Sequence, residues 1–176
     1  MSDDPRQAPC GRLDNQEDLI LGQRINLLYG VIPISLLGSV AGAGLSVLLI
    51  SRGHPSAAQT AWLLAVLMVS AVRLISYLHF HRGAGADAPA RRRLGFAVAG
   101  EIAAGLAWGV ASLVLFTAGD PATQSVLAFA IAGVSAGAVG TLLAFPWAAV
   151  TVVVLILAPF SVRLLWSTDL ARSGVA

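Results

Sequence analysis

Between Leu94 and Trp166 only three charged side chains occur: Glu101, Asp120 and Arg163. An ordinary soluble domain carries roughly one charged residue in four. A stretch this long and this poor in charge cannot cover a water-exposed surface, so it is solvated by lipid. Backbone N–H and C=O groups in lipid must be paired internally, which makes the stretch helical. That feature sets the expected fold class: all-α, a polytopic transmembrane helix bundle.

The whole chain agrees. Of its 176 residues, 57% are apolar and 11% charged, against roughly 45–50% and 25% in soluble domains. This length suffices for one bundle and no separate globular domain. All 11 basic residues are Arg, and most lie between apolar runs, where they set orientation in a bilayer. They form no basic face, which excludes nucleic acid as a partner. The absence of Lys and the excess of Ala, Leu, Val and Gly read as the product of a GC-rich bacterial genome. The expected location is the bacterial inner (cytoplasmic) membrane, multi-pass, with the lipid bilayer as the first partner.

The N-terminus, MSDDPRQAPC, is acidic and polar and lacks the apolar core of a cleavable signal peptide. Cys10 is the single cysteine and cannot form an intrachain disulfide. Residues 1–18 are expected to be a mobile polar tail, with a short interfacial helix beginning near Leu19–Leu21. The bundle is expected over 19–166, with a short C-terminal tail over 167–176.

Five spans are expected, at about 25–50, 60–80, 94–117, 123–144 and 147–166. The first is long enough, at about 39 Å, to exceed a hydrocarbon core of about 30 Å and so to tilt, and Pro33 offers a kink. Gly119, Asp120 and Pro121 supply the residues of a tight turn between the third and fourth spans. The apolar run beyond Thr123 is too long for one crossing, and Phe145-Pro146-Trp147 is the natural break. With the N-terminus cytoplasmic, the inside segments hold Arg6, Arg12, Arg24, Arg82, Arg91, Arg92 and Arg93, and the outside holds Arg52, Arg163 and Arg172. The positive-inside rule therefore predicts a cytoplasmic N-terminus.

Ionisable residues inside spans are costly and are functional candidates by default. Arg73 and Glu101 lie on consecutive antiparallel spans, each about 10 Å deep from the same membrane face. An intramembrane Arg73–Glu101 ion pair is expected. It serves either to lock the hairpin or, alternatively, in proton sensing or transport. Arg163, one turn from Trp166, is expected to reach the outer interface.

Small residues are spaced for close helix contact: Gly38 and Gly42 in the first span, Gly105 and Gly109 in the third, Gly133 and Gly137 in the fourth. Packing within the chain is their expected use, and dimerisation the second. His79 and His81 sit at a span boundary two residues apart, on different faces of a helix, and His54 lies in a loop. No metal or cofactor site is expected from them. Trp62, Trp147 and Trp166 lie near boundaries, and Trp108 lies deeper, packed in the bundle. No GxSxG, GxxxxGK[ST], HExxH or CxxC motif occurs. The chain is not expected to be an enzyme.

Five segments stand out: QRINLLYGVIP (Gln23 to Pro33), SAVRLISY (Ser70 to Tyr77), GLAWGVASLVLF (Gly105 to Phe116), LAFAIAGVSAGAVGTL (Leu127 to Leu142) and APFSVRLL (Ala158 to Leu165). Together they resemble the N-terminal multi-helix membrane input module of bacterial GGDEF/EAL or histidine-kinase signalling proteins. The likeness covers nearly all of 20–166, through loose apolar motifs. It implies a dimeric sensory bundle that passes a signal through its last helix to a cytoplasmic output domain. Such modules usually have a sixth span. Here the sequence stops at STDLARSGVA, so the expectation is either a piece of a longer protein or a free-standing relative acting through helix contacts.

Three functional classes follow. The first is a sensory module in signal transduction. The second is an accessory or assembly subunit of a larger respiratory or photosynthetic membrane complex. The third is a small transporter with Glu101 as a proton-coupled site. Paired broken helices or an internal repeat would support transport, and neither is found.

Overall fold

The computed structural model describes residues 8–51, 54–82, 89–117, 120–143 and 145–172. Five helices follow one another: α1 (Ala8–Ser51), α2 (Ala57–Arg82), α3 (Ala90–Val114), α4 (Pro121–Thr141) and α5 (Pro146–Arg172). No strand occurs among the described residues. Each helix holds a segment long and apolar enough to cross a membrane: Gly30–Ser51, Ala57–Phe80, Arg91–Val114, Pro121–Thr141 and Pro146–Trp166. The protein is a five-helix transmembrane bundle.

The helix ends follow local chemistry. Asp120 caps α4: its carboxylate accepts from the backbone N–H of Ala122 at 3.1 Å and of Thr123 at 3.3 Å, and from the Thr123 hydroxyl at 2.7 Å. Pro121 follows in the first turn of α4, where a missing N–H costs nothing. Pro146 opens α5 in the same way, and the Phe145 N–H closes a turn onto the Leu142 carbonyl at 2.8 Å. At the start of α2, Ser56 and Gln59 bond reciprocally, each backbone N–H meeting the other's side chain at 2.9 Å and 3.2 Å.

Several boundaries differ from the sequence reading. The third and fourth helices stop at Val114 and Thr141, three residues early, because the turn at Asp120 and the proline at 146 claim the residues beyond. The helix over the first span begins at Ala8, so part of the expected polar tail is the first turns of α1; residues 1–7 lie outside the described residues. Its 44 residues make a rod about 66 Å long, roughly twice the hydrocarbon core. Pro9 stands in the first turn, which tolerates proline, and α1 continues through Pro33. At the other end α5 runs past Trp166 to Arg172, into the expected C-terminal tail, and residues 173–176 lie outside the described residues.

The helices close into a ring. α1 packs on α2 and α4, α2 on α3, α3 on α5, and α5 on α4. α3 and α4 are joined by a short turn yet barely touch, because α5 stands between them. The burial pattern is that of a bundle turned toward lipid. Leu37, Phe129 and Trp147 are among the most exposed side chains, whereas Ser39, Ser46, Ser112, Thr141, Arg73 and Glu101 are buried. Three buried hydroxyls are satisfied by carbonyls of their own helix: Ser46 donates to Gly42 at 2.7 Å, Ser112 to Gly109 at 2.9 Å and Thr141 to Gly137 at 2.9 Å.

The core centres on Trp108, which is fully buried. Its indole N–H donates to the Ser39 hydroxyl on α1 at 2.9 Å. The Trp62 indole N–H donates to the Ala107 carbonyl at 2.6 Å. The two rings meet edge to face, with centroids 5.5 Å apart. Buried tryptophans in lipid need such partners, because an unpaired N–H there is costly. A second cluster, of Ile32, Leu36 and Phe80, closes one end of the bundle, and Phe96 lies 5.3 Å from Phe80 there, ring centre to ring centre.

Candidate functional site

Two helices of opposite direction carry the site. Arg73 lies on α2 and Glu101 on α3, both within the membrane-spanning segments. Both side chains are buried, and Arg73 Nη2 donates to Glu101 Oε1. Gly100 makes room for this contact: a Cβ there would stand 3.0 Å from Arg73 Cγ. The arginine stem therefore lies against bare backbone of α3. Pairing is what lets two charges persist at this depth, since either one alone would be stranded in low dielectric.

The pair sits between two cavities. One, of about 210 Å³, lies toward the Phe80 end and is bounded by Ile32, Tyr77, Phe96 and Gly100. The other is a cleft of about 510 Å³ between α1 and α4, with α3 and α5 behind it. Arg73 and Glu101 line both. The cleft opens on the outside of the bundle, where Ile34 and Phe129 at its rim are exposed. Arg73 uses one of its N–H groups on Glu101. Among the described residues no acceptor meets the others, and no donor meets Glu101 Oε2.

The six glycines divide into two groups. Gly105 and Gly109 pack α3 on α5. A Cβ on Gly105 would meet Val152 Cγ1 at 3.1 Å, and one on Gly109 would stand 2.5 Å from the Leu155 carbonyl oxygen. That carbonyl has no helical donor four residues on, because Pro159 lacks an N–H. Gly42 makes room for the edge of Trp108, 3.6 Å from where its Cβ would be. Gly38, Gly133 and Gly137 depart from the expected packing role: a Cβ on any of them meets nothing within 4 Å. They line the cleft instead. At these positions the missing side chains leave an opening between α1 and α4.

Arg163 reaches the end of α3, where its Nη2 donates to the Leu113 carbonyl at 3.4 Å and its guanidinium lies 6.0 Å from the Phe116 ring centre. His54 and His79 are exposed. The side chains of Cys10 and His81 lie outside the described residues. Among the described residues no three metal-ligating side chains gather. Sequence reasoning missed Gly100 and Ser39, although the small residue beside Glu101 was a legible signal for the first.

Comparison with protein-family models, with characterised proteins and with solved structures finds no match for this chain.

Proposed function

We propose that this chain is a non-catalytic sensory input module of a bacterial inner membrane, with its N-terminus in the cytoplasm. The observation that carries the reading is the Arg73–Glu101 pair, buried where α2 meets α3 and facing a cleft open at the side of the bundle. A buried ion pair in low dielectric is an element with two discrete states, paired and parted. A group entering the cleft that favours one state shifts α2 against α3, which is the form a membrane switch takes. The five segments resembling signalling input modules support the same reading, and the arginine distribution supports the orientation.

A second reading, an accessory subunit of a larger respiratory or photosynthetic complex, is favoured by the open glycine face of α4 at Gly133, Gly137 and Gly140. A neighbouring helix could approach there. Purification from native membrane in mild detergent, followed by mass spectrometry of what stays bound, separates the two. A lone chain or homodimer is expected. Recovery in fixed ratio with a large complex would replace the sensory reading by the accessory one. Cys10, the single cysteine, tests orientation: a membrane-impermeant maleimide should label it only after the cells are permeabilised, and labelling of intact spheroplasts would place the N-terminus outside.

A further inference from the structure

The cleft has chemistry that a packing defect lacks. Its walls carry bare backbone at Gly38 and Gly42 on α1 and at Gly133 and Gly137 on α4, set among the side chains of Ile34, Ser35, Phe129 and Val134. Its floor is the Arg73–Glu101 pair, each partner more than nine-tenths buried. Arg73 offers N–H donors there, and Glu101 offers Oε2, none of which has a partner among the described residues. In lipid such groups are costly unless something meets them. The volume of about 510 Å³ falls within the range of roughly 300–1,000 Å³ typical of small-molecule sites.

We infer that the cleft binds a neutral, flat, lipid-soluble molecule with a ring carbonyl, of the quinone class. The pair is neutral as a unit, so an anionic headgroup would bring an uncompensated charge into low dielectric, and a neutral ligand does not. A ring carbonyl accepts from the free N–H groups of Arg73. In the reduced form a ring hydroxyl donates to Glu101 Oε2. The flat ring lies between the glycine walls, and its apolar tail leaves past Ile34 and Phe129 into the bilayer. A neighbouring helix suits this floor poorly, because its backbone donors and acceptors are already used. The inference concerns binding only and does not depend on the sensory reading.

The test uses the full chain in lipid nanodiscs and a benzoquinone carrying one isoprene unit. Bound quinone is measured by extraction and absorbance, against empty nanodiscs. Saturable binding of one quinone per chain is expected. Gly133→Leu and Gly137→Leu fill the slit from positions where a Cβ meets nothing within 4 Å, and a thermal melt checks that the bundle is retained. Each should weaken binding by about tenfold or more, while Gly44→Leu, outside the cleft and equally free of neighbours, stays within about twofold of the parent. No saturable excess over empty discs overturns the inference. So does a pair of filled variants that bind like the parent, or that lose a dimer while keeping the quinone, which would make the slit a helix-docking surface.

Discussion

Replacing Gly109 by Ala tests the α3–α5 seam directly. The new Cβ would lie 2.5 Å from the Leu155 carbonyl oxygen, whereas an ordinary carbon–oxygen contact needs about 3.3 Å. Both atoms are fixed to backbone, so no rotamer relieves the overlap. The helices must part by about 0.8 Å, the difference between those distances, along a seam that also holds Val152 and Ile156. Overpacking of this kind costs about 1–3 kcal/mol, and the better helix propensity of Ala returns at most about 1 kcal/mol. A net loss of about 1–2 kcal/mol corresponds to a fall of roughly 2–8 °C in the midpoint for a chain of this size. The assay is thermal unfolding in mild detergent, with Gly105→Ala and Gly133→Ala beside it. Gly105→Ala meets the movable Val152 Cγ1 at 3.1 Å and should lose less. Gly133→Ala meets nothing within 4 Å and should be neutral or slightly stabilising. If Gly109→Ala melts no lower than Gly133→Ala, the close approach of α3 to the Leu155 carbonyl is wrong.

Three further outcomes are expected. Glu101→Ala strands Arg73 in the bundle and should destabilise it by about 3–5 kcal/mol, while the double change Arg73→Met with Glu101→Leu should recover most of that; a single variant as stable as the double, in the same detergent melt, would show that the pair does not hold α2 to α3. Trp108→Phe and Ser39→Ala each remove the same indole hydrogen bond, so each should cost about 1 kcal/mol or more, and their effects should fall short of additive in a double-mutant cycle. Asp120→Ala removes the cap of α4 and should cost about 1 kcal/mol by the same melt, with Asp120→Asn retaining most of the cap; equal losses in the two variants would rule out capping as the role of Asp120.

Much of the fold was legible because lipid makes a simple demand. A run of apolar residues long enough to cross the bilayer has to be a helix, so the five spans could be placed to within a few residues from Pro, Asp and Arg positions alone. The meeting of Arg73 with Glu101 was legible for a related reason: helical rise converts residue counts into depth, and charges at equal depth on consecutive helices have one cheap arrangement. The glycines were ambiguous. A Gly-xxx-Gly pair says that backbone can come close, and only the ring order decides whether a neighbour comes. Gly105 and Gly109 have α5 against them, whereas Gly133 and Gly137 face the cleft. The helical extent of α1 ahead of Leu19 was hidden because a polar stretch carries no apolar run to mark it.

The position of α5 also sets an order of assembly. α3 and α4 emerge from the ribosome as consecutive helices joined by a tight turn, yet the finished bundle keeps them apart with a helix made after both. A nascent chain that has reached Thr141 therefore carries a glycine seam on α3 with its partner still unmade. The ring can close only when the last helix slides in between its predecessors and brings Leu155 and Val152 to Gly109 and Gly105. Chains arrested before Pro146 should be open, protease-sensitive bundles of four helices, and protection should arrive in a single step when α5 enters the membrane.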